Sequence, residues 1–75
     1  MSELEGKEWA ALRDEANNLA ALADEMFKQE DVRRAKMTYR EAADRALLAL
    51  YAAPSDDEET RQELGELVQS FCKKT

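Results

Sequence analysis

Residues 31–53 read D-V-R-R-A-K-M-T-Y-R-E-A-A-D-R-A-L-L-A-L-Y-A-A, and this stretch decides the fold. Val32, Ala35, Tyr39, Ala42, Ala46 and Ala49 recur at alternating spacings of three and four. Successive helical residues rotate by about 100°, so this spacing places them on one face of an α-helix. Alanine dominates the stripe, which lets neighbouring helices approach closely from either side. The stretch is therefore expected to be the middle helix of a small bundle, with one helix before it and one after.

The preceding segment supports that reading. Trp9, Leu12, Ala16, Leu19, Ala23 and Met26 form a second stripe at helical spacing. Leu4, Ala11 and Leu22 flank it on one side, Ala20 and Phe27 on the other. An apolar face this wide predicts a helix touching two neighbours. Ser2 and Glu5 have the capping-box spacing at its start, although Gly6 weakens the first turn. Glu30 and Asp31 then make a tight connection, with Asp31 as N-cap, so the first two helices form an antiparallel hairpin.

Pro54 stops the middle helix by excluding the α conformation from the residue before it. Ser55 and Glu58 have the capping-box spacing again, and the acidic run from Asp56 to Glu59 suits a helix N-terminus. Thr60, Leu64, Leu67 and Phe71 make the inward stripe of the third helix, which ends in Lys73 and Lys74. No segment alternates with period two, and β-branched residues are scarce. The expectation is all-α: an antiparallel three-helix bundle, with helices at about 3–29, 32–53 and 56–73.

The totals set bounds on function. Seventy-five residues make one domain at most, read as a single interaction domain over 1–75. Net charge is −6, which argues against nucleic acid and anionic membrane surfaces and favours a basic peptide partner. A single cysteine, Cys72, allows no internal disulfide, and a reducing compartment is the better fit. No apolar run approaches the roughly 20 residues of a membrane span, and the first residues lack a signal-peptide layout. A cytoplasmic setting is expected.

Residues 31–50 resemble the MIT domain, the microtubule-interacting and trafficking module. That family often carries G-x-Y-x-x-A-x-x-x-Y-x-x-A-x-x-x-h-x-x-A-L, where h is apolar. Without a gap, Val32 takes the first aromatic place, Ala35 the first alanine, Tyr39 the tyrosine, Ala42 the second alanine, and Ala49-Leu50 the closing pair. Glu30 stands where the family has a turn glycine. E-T-R-Q-E-L-G-E-L-V, at residues 59–68, is similar to the family's third-helix run. The tetratricopeptide repeat is the competitor, since Leu19, Leu22, Ala23, Met26, Ala35, Tyr39 and Ala42 suit that helical hairpin too. Against it, the middle helix runs on too long and no second copy follows.

The resemblance implies a module cut from a larger trafficking or ubiquitin-related protein, reaching endosomal membranes through its partners. MIT domains bind short C-terminal motifs of ESCRT-III subunits, often as a helix lying between helices 2 and 3. Many members clasp charges of that motif with an acidic residue and an arginine on helix 3. At those places this chain has Gln69 and Ser70, so the clasp is missing.

Nothing in the sequence looks catalytic. Histidine is absent, and Cys72 lacks a basic partner to activate it. No Cys/His spacing or calcium-loop pattern suggests a metal, and no cofactor is expected. Two surplus stripes point to binding instead. On the third helix, Arg61, Gly65, Val68 and Cys72 line a flank about 90° from the core stripe. Gly65 is a tolerated imperfection, a close contact with helix 2, or a place where a partner's backbone approaches. On the second helix, Met37, Asp44, Leu48 and Tyr51 point away from the core: as scattered surface residues, as part of a Leu47, Leu48 and Tyr51 cover over the third helix's flank near the loop, or as one wall of a peptide groove between helices 2 and 3. The isolated domain is expected to be a monomer. The alternative is a structural or oligomerisation bundle whose surplus stripes meet a second copy.

Overall fold

The computed structural model describes the backbone of residues 2–75 and the side chains of residues 8–75. Three helices follow one another: α1 at Ser2–Lys28, α2 at Val32–Ala52 and α3 at Glu58–Cys72. No strand occurs among the described residues. The Ser2–Glu5 capping box and Leu4 involve side chains outside those described. The bundle measures 43 × 21 × 13 Å. α2 packs closely along both neighbours, while α1 and α3 meet through side chains, with Trp9 and Leu12 against the cluster that holds Leu64.

Alanine builds the α1–α2 contact. Ala35, Ala42, Ala46 and Ala49 of α2 are fully buried, as are Ala16 and Ala23 of α1. Trp9, Leu12, Leu19 and Phe27 pack at the edges of this core. The wide apolar face of α1 is only partly used. Its Ala20–Phe27 flank is covered, whereas Ala11 and Leu22 face solvent, Leu22 with 51% exposure. Val32 also lies outside the core, 45% exposed, although it opens the predicted stripe. It sits in the first turn of α2, where α1 has already ended, and α3 ends about level with Tyr39.

Tyr39 joins the three helices. Its ring lies 5.7 Å from that of Phe27 on α1 and 6.0 Å from that of Phe71 on α3. Its hydroxyl donates to the Asp24 carboxylate and accepts from Lys74 Nζ at 3.4 Å. The Lys74 ammonium stands 5.1 Å over the same ring. Burial, reinforced by Asp24, pushes the Tyr39 hydroxyl's pKa upward.

The two connections are built differently. Glu30 adopts a left-handed backbone, φ 63°. Its N–H bonds Phe27 O at 3.0 Å, and the Asp31 N–H bonds Met26 O at 2.8 Å, the pair of bonds that defines a Schellman ending. Asp31 caps α2 by position, without a side-chain cap bond. At the other end, Ala53 is extended ahead of Pro54. The cap of α3 is Asp57, not Ser55. Its carboxylate accepts from Thr60 N at 3.2 Å and from the Thr60 hydroxyl at 2.7 Å. Pro54 to Asp57 forms a turn, with Asp57 N bonded to Pro54 O at 3.2 Å, so the helix starts later than the Ser55–Glu58 spacing suggested.

Candidate interhelical peptide site

α3 has two flanks: one borders a cleft against α1, and the other presents an uncovered surface at Gly65 toward α2. On the α1 side, Arg13, Asn17, Glu63, Leu64 and Leu67 line a cleft of about 230 Å³. Leu64 and Leu67 give it an apolar floor. Arg13 and Glu63 put opposite charges on its rims. Arg13 is already engaged, 5.1 Å over the Trp9 ring and 3.4 Å from Asp14. This volume is below that of ordinary small-molecule pockets, and it suits one or two side chains of a peptide.

On the α2 side lies the flank predicted from sequence. Val68 packs against the core cluster around Tyr39, while Cys72 is exposed. A Cβ added at Gly65 would meet nothing within 4 Å. Close packing against α2 is therefore not the reason for the glycine, and the surface above it is open. Arg61 has a structural task. Its guanidinium donates to Leu50 O at 3.2 Å and to Ala53 O at 3.5 Å, satisfying carbonyls left free at the end of α2.

The rotation of α2 decides which of its residues border this groove. Thr38 contacts Met26 and Arg45 pairs with Glu15, so both mark the α1 side. At about 100° per residue, Lys36, Arg40, Ala43, Leu47 and Leu50 share an arc on the opposite side, toward α3. Met37, Asp44, Leu48 and Tyr51 are turned outward from that arc by about 90°. They are exposed together, Met37 at 63% and Tyr51 at 72%. The structure thus groups the four α3 residues on one flank and the four α2 residues on a neighbouring outward stripe. Leu47, read from sequence as one possible cover of the third helix's flank, lies on this arc, and Lys36 and Arg40 are the residues there that sequence reasoning missed. Pinning α2 by its α1 contacts was the signal needed to find them.

Among the described residues, no group of three or more His, Cys, Asp and Glu side chains is placed to hold a metal ion. No described helix is long and apolar enough to cross a membrane. Compared with known proteins, the chain matches no family model, no curated protein and no solved structure.

Proposed function

We propose that this chain is a non-enzymatic interaction module of MIT type, docking a short C-terminal segment of an ESCRT-III-like partner in an interhelical groove. The open surface at Gly65 carries the reading: a mid-helix residue without a side chain, beside half-buried Val68, facing no neighbour within 4 Å. Mid-helix glycine costs about 1 kcal/mol relative to alanine, and nothing inside the fold requires it here. A partner helix lying between α2 and α3 would use the space, as amphipathic helices do in apolar grooves. Such a module would act in the cytoplasm and reach endosomal membranes through its partner.

Two-dimensional NMR of the labelled domain, titrated with a panel of ESCRT-III C-terminal peptides, tests this. Shifts clustered at Gly65, Val68 and Leu47 are expected. Gly65→Leu puts a side chain where an added Cβ meets nothing within 4 Å, and is expected to abolish those shifts while the fold persists. Shifts at Arg13, Asn17 and Glu63 instead would move the site to the α1–α3 cleft. Silence from every peptide at millimolar concentration would sink the reading. The exposed stripe of Met37, Leu48 and Tyr51 favours a second reading, self-association, which a size measurement over a range of concentrations would reveal.

A further inference from the structure

The net charge of −6 is unevenly spread, and the groove between α2 and α3 departs from it. Arg33, Lys36 and Arg40 follow one another at spacings of three and four along α2, all exposed, and Lys73 is exposed at the end of α3. None of the four forms an ion pair among the described residues. Those pairs use Arg13, Lys28, Arg34 and Arg45 instead. Arg61 and Lys74 are held by the fold, on the end of α2 and on Tyr39.

This arrangement is unfavourable for an isolated helix on two counts. Like charges three and four residues apart on one helix face repel each other. The first turn of α2 also holds no acidic residue, although cations near a helix N-terminus oppose the macrodipole. The carboxylate at the N-cap, Asp31, is engaged by Arg34, and among the described residues none is paired with Arg33, Lys36 or Arg40. The opposite end of the groove is acidic, with Asp57 and Glu58 at the start of α3. The field along the groove therefore runs from negative at that end to positive beside Lys36 and Arg40.

We propose that the α2–α3 groove selects a helical peptide segment that is acidic where it passes Lys36 and Arg40 and apolar where it passes Leu47, Gly65 and Val68. The proposal rests on the reading of this chain as a peptide-docking module and reverses the basic partner that the net charge suggests. A rod-shaped ligand fits better than a flat anionic surface. The basic residues lead lengthwise into the apolar part of the groove, Lys36 to Leu47 spanning about 16 Å of helix rise. At the tip of the bundle, where a membrane would press, Glu25 and Asp31 already neutralise Lys28 and Arg34.

The test uses amphipathic peptides of roughly 16 residues, long enough to cover that span. Each carries a leucine stripe, with one half filled by Glu, Gln or Lys, and each is made in both chain directions. Amide shifts and affinities are measured for the full chain, alongside vesicles of phosphatidylcholine with about one third phosphatidylserine. The Glu peptide is expected to bind tightest in one direction, shifting residues 36–47 and 65–72, and to weaken with added salt. Lys36→Glu with Arg40→Glu is expected to weaken it at least about tenfold. The same pair of changes is expected to strengthen the Lys peptide, while Glu59→Lys, on the α1-facing flank of α3, leaves the Glu peptide within about twofold. Equal binding of the Glu and Gln peptides, or tighter binding of the Lys peptide, overturns the charge selection and leaves the docking module standing. Binding to vesicles alone overturns it in favour of a lipid surface. No binding by any peptide overturns both readings.

Discussion

α2 meets its two neighbours in different ways. Its α1 side is a row of small side chains, with Ala42, Ala46 and Ala49 against Ala16 and Ala23. Its α3 side depends on a few large ones, Leu64 and Phe71 above all. Contact through alanines is spread over many residues, so no single truncation removes much of it. Contact through Leu64 and Phe71 is concentrated, and the same two residues also carry the contact of α3 with α1, Leu64 beside Trp9 and Leu12. The hairpin is therefore the frame of the molecule, and α3 is the part whose attachment can be tuned. Leu64→Ala is expected to cost about 2–5 kcal/mol, against about 1 kcal/mol for Ala42→Gly. Hydrogen exchange on the Leu64→Ala variant sharpens the contrast: α3 amides are expected to lose protection before those of α1 and α2. Uniform loss across all three helices would show that frame and attachment are one cooperative unit.

Each region also carries one residue that backbone preference alone would not select. On the hairpin side, Glu30 holds a left-handed conformation that costs an L-residue roughly 1–2 kcal/mol. On the α3 side, Gly65 occupies a helix interior. Glu30→Gly is expected to raise stability by up to about 1 kcal/mol, after the greater freedom of glycine in the unfolded chain is counted. Gly65→Ala is expected to raise it by about 1 kcal/mol, because its Cβ enters open space. The two gains differ in consequence. Denaturant unfolding measures both, but only the Gly65 change lies where the proposed ligand docks. A stabilised Gly65→Ala variant with weakened peptide binding would identify the glycine as a concession to the ligand. Unchanged binding would make it a plain imperfection of the helix.

The regular part of this fold was legible in the sequence because period and punctuation agreed. The alanine stripe of α2, the short connection at Glu30–Asp31 and the stop at Pro54 all appear where they were expected. The cap of α3 was ambiguous because Ser55 and Asp57 are both good N-cap residues. Asp57 prevails, with Thr60 in reach of its carboxylate on two donors. The groove was the least legible part. Periodicity identifies which face of a helix is buried, but the neighbour on each flank depends on the hand of the bundle. Sequence spacing does not carry that hand. Spacing alone therefore puts Met37 and Leu48 on a wall that the Thr38 and Arg45 contacts give to Lys36 and Arg40, beside Leu47. Exposed apolar residues drew the eye, while the bordering cations read as ordinary surface.

The difference in attachment also has a pH signature, the smallest effect expected. Asp57 is held below the ordinary carboxylate pKa, chiefly by the hydrogen bond from the Thr60 hydroxyl and then by that from the Thr60 backbone N–H. A depressed folded pKa means that the native state favours the charged carboxylate. Its contribution is complete above the unfolded-state pKa of about 4 and is lost as pH falls through the lower, folded value. The loss falls on the N-terminus of α3, the tunable element, and leaves the alanine-lined hairpin untouched. Asp57→Asn retains an oxygen acceptor but removes the charge. Thermal unfolding of both forms is expected to show the native chain a few degrees more stable at neutral pH. The margin should close below about pH 4 as the carboxyl takes up its proton. A margin that persists in acid would place the cap's value in geometry rather than charge, and a difference in α1 exchange would mean that the two sides of α2 are coupled.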